Sequence, residues 1–548
     1  MASTDKYFLI GIGGTGMRCL EAVTHMCAMG MFDSKEINIL TLDTDFTNGN
    51  KQRTETLIDT YNNIKSTEDS PNGKANNNSF FSAKLNMFKF VTDYNSANKK
   101  RFTDITNIKS ETAELSDNKL LADLFLGEDV QEFDLSHGYR AQTHMGSYLM
   151  YHAFLEVAKK LKKGDNVSES EREFETFLNL LYDAGANAKI FVLGSIFGGT
   201  GASSIPVIPQ ALNDALKIYG DGKMELDPGA KFGATLLTEY FKFKKPADSQ
   251  KSTRDNAVIA DSSFFTLNSQ AALQFYQDDP TVQKTYKKMY HIGWPKDFDG
   301  MDFSKGKSES ETITGGEAQK NDCHITEFLC GCAAWDFFNS DSGLDVKEAT
   351  YLYKSVSYKD GQLDFSFDDF IGEAENGKFF ARKFGGFIAL MHLVLTTNHG
   401  ANGDDGVKGL LGRMSEATQA YTSLDTQFTE KLTKYFQSFG YVFDSESFKS
   451  GWLYQIKNTV NGKLVMDDGA FTRNLKELRK LEPGNLFSQP EYKWDTSNMM
   501  SSDTYSPFIK LLKEQDTEPK DEQNVSDINE KFIAHLYNAI QQSPKNKI

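Results

Sequence analysis

Tyr7-Phe8-Leu9-Ile10-Gly11-Ile12-Gly13-Gly14-Thr15-Gly16, and much later Ile190-Phe191-Val192-Leu193 with Gly198-Gly199-Thr200-Gly201-Ala202-Ser203 close behind, decide how this chain reads. Each is an apolar, strand-like run that ends in a glycine-rich turn. Glycine is needed where backbone must come close to phosphate oxygens or take a positive φ. Amides at the N-terminus of a following helix donate to an anion, and the helix dipole adds its favourable end. Gly11, Gly13 and Gly16 fit the G-x-G-x-x-G fingerprint of dinucleotide sites, with Asp43 as the acid closing the second apolar run. One such turn also serves plain strand-to-helix packing. A Rossmann oxidoreductase has no need of the second turn, whereas one nucleotide lying across a sheet edge uses both.

Working outward, Met17 to Met29 has helical spacing of apolar residues, and Ile37 to Leu42 is a second buried strand before Asp43-Thr44-Asp45. That is a βαβ unit with carboxylates at the carboxyl end of its strands, where open α/β sheets bind ligands. Residues 48–110, rich in Asn, Lys, Ser and Thr, read as part of an insertion (about 48–135) with partial helix and mostly on the surface. Helices are expected from Gly146 to Leu161 and from Ile205 to Ile218, with a strand from Lys231 to Tyr240. Gly315 to Phe338 reads as one long buried helix. Residues 349–370 alternate like a hairpin, and an apolar helix runs from Phe379 to Leu395. The predicted division is a nucleotide-binding unit over 1–339, an α+β unit over 340–500, and an acidic linker with an amphipathic terminal helix over 501–548.

The chain has 548 residues, 39% hydrophobic and 25% charged, with a formal charge of −16. That balance argues against general nucleic-acid binding, which needs a basic face. No apolar run is long enough to span a bilayer. Met1 to Asp5 is polar and unlike a signal segment, and five cysteines make no disulfide framework, so a reducing cytoplasm is expected. There is no Walker A motif. Cys323, Cys330 and Cys332 with His324 lack zinc-knuckle spacing and sit in a helical apolar pattern, which favours core packing.

A glycine turn after strand one, an Asp-rich turn after strand two and a Gly-Gly-Thr-Gly loop after strand four resemble the tubulin/FtsZ superfamily, and within it the divergent bacterial tubulin-like proteins. Asp43-Thr44-Asp45 looks like the family's N-T-D turn, and Phe197 to Ser203 keeps the four central residues of its signature loop while losing both outer glycines. Arg18 stands where that family usually has Asn or Gln. The resemblance implies a tubulin-like, Rossmann-type α/β domain with a mostly parallel sheet, a central helix and an α+β second domain. It implies GTP/GDP and Mg²⁺ as cofactors, slow GTP hydrolysis, and head-to-tail self-assembly or partner switching through the second domain or the terminal helix. Phosphate contacts then fall to Gly11, Gly13, Gly14, Thr15, Gly16, Gly198, Gly199, Thr200 and Gly201. Arg140 looks like a γ-phosphate-sensing residue, Asn268 and Asn321 look like base readers, and Asp43 and Asp45 lie near the metal, with Asp45 as its ligand. Asp341 or Asp345 resembles the acid that positions attacking water in a neighbouring subunit. The alternatives are a Rossmann oxidoreductase using NAD or FAD through the first turn alone, and a non-hydrolysing adaptor with a degenerate pocket.

Overall fold

The computed structural model describes residues 5–45, 47–66, 73–92, 100–108, 117–164, 166–242, 258, 260–294, 301–302, 315–317, 319, 321, 323–340, 343–355, 357–359, 362–364, 374–395, 421, 424, 426–443, 452, 459–460, 463–464, 514 and 527–542. Strands β1 (Lys6–Ile12), β2 (Glu36–Asp43) and β4 (Ala188–Leu193) are buried along nearly their whole length. Such runs show no alternation because helices cover both faces of the sheet. Between them lie α1 (Gly13–Ala28), α2 (Gly49–Lys65), β3 (Lys84–Val91), α3 (Thr143–Lys163) and α4 (Glu169–Ala184). After β4 come α5 (Thr200–Ser204), α6 (Ile208–Tyr219), β5 (Lys231–Leu237), α7 (Phe265–Asp278), β6 (Tyr286–Gly293), α8 (Ile325–Asn339) and β7 (Thr350–Ser355).

These seven strands form one sheet in the order β3-β2-β1-β4-β5-β6-β7, with every neighbouring pair parallel. The fold is α/β and Rossmann-like. The strand order reverses between β1 and β4, and the crevice outside the carboxyl ends at such a reversal is the usual ligand position. On one face Leu20 and Met26 of α1, Leu57 and Tyr61 of α2, and Phe328 and Phe337 of α8 share a core. On the other, Leu149 and Phe154 of α3, Phe174 of α4 and Leu212 of α6 make the second.

Three further helices, α9 (Ala374–Leu395), α10 (Thr426–Phe443) and α11 (Ile528–Gln541), cover the first face. Their Phe387, Phe436 and Leu536 belong to the same apolar cluster as α1 and α8. The elements expected in a second unit therefore share the core of the first. A small antiparallel sheet of 357–359, 362–364, 459–460 and 463–464 supplies the β part. Apart from Ile528 and Lys531, all of α11 is buried. Lys65 of α2 meets Glu530 of α11 at 3.5 Å, both buried. No described helix is long and apolar enough to cross a membrane.

Three sequence expectations change. The polar stretch after residue 48 is largely framework, because α2 hides Leu57, Ile58, Tyr61 and Ile64 on one face and β3 is a half-buried edge strand of the sheet. Helix α8 begins only at Ile325, where His324 and Glu327 form a capping box, so the described residues from Gly315 to His324 lie outside it. Thr350–Ser355 pairs in parallel with β6 rather than in a hairpin. The hairpin is 357–359 with 362–364, while Phe365 and Phe367 lie outside the described residues. Alternation reports a half-buried strand but not its partner.

His25 ties α1 to α10. Its Nδ1 lies 2.9 Å from the Tyr435 hydroxyl, and its ring packs among Tyr435, Phe439 and Trp452. Burial, helped by the charge of Arg18, holds it neutral and lowers its pKa from 6.5 to about 3. Burial does the same to His324, again to about 3. The unfolded imidazoles take up protons first, so this contribution is complete above about pH 6.5 and is lost as pH falls towards 3. Chemical denaturation is expected to show each histidine costing on the order of 2 kcal/mol between pH 6.5 and 5. His25→Gln, which keeps a partner for Tyr435 but cannot titrate, should flatten that slope by about one proton.

Candidate functional site

The two glycine turns meet. Gly11 of β1 lies opposite Leu193 of β4, and α1 starts at once after β1, with Gly13 at φ +64°. A Cβ on Gly13 would sit 3.1 Å from the Cβ of Thr200, which places turn one against turn two. Ile12 offers no side-chain cap and the first turn of α1 holds no acid. The opening amides of α1 are thus free of any side-chain acceptor from these positions. Gly14, Thr15, Gly198, Gly199 and Thr200 are the half-exposed tips, while Gly11, Gly13, Gly16 and Gly201 are buried. Gly16 and Gly201 are packing glycines, since a Cβ would fall 2.5 Å from the Leu193 carbonyl oxygen and 2.4 Å from that of Ser195.

The segment 138–142 lies on the second turn. Gly138, Arg140 and Ala141 all have positive φ, at 87°, 45° and 66°. For the two non-glycine residues this stores about 1–3 kcal/mol each, as functional loops often do. A Cβ on Gly199 would meet the Ala141 nitrogen at 2.7 Å. Arg140 donates from Nη1 to the Val258 carbonyl at 2.8 Å, and its guanidinium stands 5.5 Å from the Phe133 ring. Its charge braces the loop.

Register places the acidic turn beside the first glycine turn, because Leu42 lies opposite Ile12. Asp43 is buried; its Oδ1 accepts from the Asp45 amide at 3.1 Å, and among the described residues its Oδ2 has no hydrogen-bond partner. Burial, and then the charge of Asp45, pushes its pKa up to about 7. Thr44 is fully buried, and its hydroxyl likewise has no partner among the described residues. That hydroxyl and the Thr200 hydroxyl each lie 3.6 Å from the position a Gly138 Cβ would take. Asp45 is occupied otherwise: Oδ1 accepts from the Thr47 amide and hydroxyl at 3.2 and 2.8 Å, and Oδ2 from the Gly316 amide at 2.6 Å. Among the described residues no three His, Cys, Asp or Glu side chains are placed to hold a metal.

The two asparagines part company. Asn268, on α7, donates to the Phe197 carbonyl at 3.1 Å and so steadies the approach to turn two. Asn321 forms a reciprocal pair with Asn50, donating from its backbone at 2.8 Å and accepting from Asn50 Nδ2 at 3.0 Å. Asn48 and Asn50 were not singled out in the sequence, where an Asn-Gly-Asn run reads as turn chemistry. Asn48 indeed caps α2. Yet a Cβ on Gly14 would lie 3.4 Å from Asn50 Nδ2 and 3.6 Å from Asn48 Nδ2, so both face the first turn. Arg18 turns inward, pairing with Glu21 and, at 2.9 Å, with Glu327. Asp341 lies outside the described residues. Asp345 is exposed beyond the far end of α8, whose Phe338 and Ser340 carbonyls accept from Lys189 at the start of β4. It therefore sits at the opposite edge of the sheet from the glycine turns.

No protein-family model matches the chain, and no curated protein matches it in sequence. The geometry sorts the glycines by experiment. Gly16→Ala and Gly201→Ala press a methyl onto backbone carbonyls and are expected to cost about 1–3 kcal/mol in urea denaturation. Gly14→Ala, with no contact under 3.4 Å, should leave stability unchanged or slightly raised.

Proposed function

We propose that the chain is a tubulin-like nucleotide-binding protein that holds GTP with Mg²⁺ across the β1–β4 reversal and hydrolyses it slowly, with nucleotide state governing self-assembly or a partner. The observation that carries this reading is the contact between Gly13 and Thr200, which lets one polyphosphate touch both turns. Gly13, Gly14 and Thr15 serve the proximal phosphates, and Gly199, Thr200 and Gly201 the distal ones. The two asparagines that resemble base readers each spend one side-chain atom inside the fold, Asn268 on the Phe197 carbonyl and Asn321 on Asn50.

The residues fit magnesium in a particular way. This ion keeps several waters and takes one or two carboxylates with phosphate oxygens. Asp43 has the free oxygen for that, while Asp45 anchors its own loop. When bound, the metal would neutralise developing phosphate charge, and the chain itself orients the polyphosphate by backbone amides. Asp345 lies too far along the fold to act on a nucleotide in its own chain. An acid in that loop would serve a neighbour's site in a head-to-tail array, which is a heterologous and open-ended contact.

A second reading has one feature in its favour. Asp43 closes β2 with an unpaired oxygen, as a ribose-binding acid does in NAD and FAD sites. Thr200→Ala separates the two readings, whereas Gly199→Ala does not, because its methyl would collide with the 139–141 backbone. Calorimetry with GTP and Mg²⁺ is expected to show Thr200→Ala weakening binding tenfold or more, the scale of a lost hydrogen bond to a charged group. Unchanged affinity in that variant, or co-purified NAD or flavin, would overturn the GTP reading. Light scattering with GTP then tests assembly.

A further inference from the structure

The segment that enters α8 is tied to the acidic turn and to the start of α2 by a set of hydrogen bonds that packing alone does not require. Gly49 donates to the Gly316 carbonyl at 3.0 Å, and Gly316 donates back to Asp45 Oδ2 at 2.6 Å. Asn48 Nδ2 donates to Gln319 Oε1 at 2.7 Å, and Asn50 and Asn321 pair in both directions at 3.0 and 2.8 Å. Arg53 closes the row by donating to the Asn321 carbonyl at 2.8 Å.

A carboxamide nitrogen carries two donors, and the clamp uses one on each asparagine. Asn48 and Asn50 are nearly fully buried, and the nitrogens of both stand beside Gly14. Their second N–H groups therefore lie next to the open amides of α1. Independently, the buried and unpartnered Thr44 hydroxyl lies at the junction of Gly138 and Thr200, on the other side of the same turns. Polar donors left over on both sides of a helix N-terminus describe an anionic ligand.

We propose that Asn50, with Asn48, binds the anionic part of the ligand at Gly14 and, through its pair with Asn321, makes the segment entering α8 report whether the turns are occupied. This rests on the nucleotide reading and adds to it a ligand contact and a route of regulation. The route is short and physical: Asn321 is three residues from His324, the cap of α8. Helix α8 is packed against α1, β5 and β6, so a shift at its first turn reaches the core.

Two variants of the full chain separate the roles, with GTP and Mg²⁺ as the probe. Asn50→Asp keeps the acceptor for the Asn321 amide but removes the nitrogen that serves both Gly14 and Asn321 Oδ1, and adds a negative charge there. It is expected to weaken binding at least tenfold, with folding of the variant checked separately by urea denaturation. Asn321→Ala keeps the Asn50 carboxamide and the backbone bond to its Oδ1 but removes the side-chain acceptor for Asn50 Nδ2. At saturating GTP it should lose much of the slowing of amide exchange that GTP brings to the start of α8 (325–328) in the unaltered protein. Equal affinity in Asn50→Asp, or GTP-dependent protection of those amides unchanged in Asn321→Ala, would overturn the inference while leaving the nucleotide reading intact. No binding by the unaltered protein would overturn both.

Discussion

Everything at the candidate site depends on how closely the start of α1 lies against β1 and β4. Gly16 faces the Leu193 carbonyl oxygen and the Gly11 backbone at distances that admit no side chain. A helix that begins one residue after its strand, and settles this deeply, brings its first amides level with the carboxyl end of β4. Thr200 can then touch Gly13. The same requirement recurs across the sheet, where Gly201 faces Ser195 and Gly199 faces the backbone of 139–141. Close backbone contact at three places makes the turns a single rigid edge rather than three separate loops. Rigidity of that kind preorganises a ligand site, since little ordering remains to be done on binding.

Beneath that edge lies a buried group of charges. Arg18 reaches Glu21 and Glu327; Arg53 reaches Glu21 at 3.1 Å, and the Tyr240 hydroxyl donates to Glu327 at 2.9 Å. Two cations thus face two carboxylates, with a phenol satisfying a remaining acceptor. Such groups add little net stability over apolar packing, because taking charge out of water is expensive. Their value here is register: Glu327 fits only when the first turn of α8 stands beside Arg18. Removal of one partner would strand a buried charge, so slippage of α8 along α1 is strongly disfavoured.

The sheet was largely readable from the chain, and the reason is burial on both faces. Tyr7 to Ile10 and Ile190 to Leu193 are apolar without interruption, Ile37 to Leu42 is broken only by Asn38 and Thr41, and each became an inner strand. Legibility fell where a strand lies at the edge. β3 and the run around Tyr351 and Tyr353 are half-exposed, so their patterns name a strand without naming its neighbours. Glycines at the turns were visible because only glycine fits, whereas Asn48, Asn50 and Gln319 were not, because an amide at a helix start is explained by capping alone. Arg140 could be read as a cation near a phosphate loop, but its bond to the Val258 carbonyl, more than a hundred residues away, leaves no mark on local sequence.

Helix α8 gives the molecule a direction. Its N-terminus is joined through Asn321 to the glycine edge, and its C-terminus is joined through Lys189 to the opposite edge. Fifteen residues at about 1.5 Å each span roughly 22 Å, so the loop holding Asp345 cannot share a ligand with turns one and two of its own chain. Under the proposed reading, that separation makes one edge a receptor and the other an effector, and only a second molecule can bring them together. The asparagine clamp acts on the same helix from the receptor side. A ligand that tightens Asn50 against Asn321 must also bias α8, and by linkage any contact that biases α8 must alter affinity for the ligand. Under that reading the acidic turn, the clamp and the helix form one coupled element, in which Asp45 holds the loop and Asp43 would meet the cation.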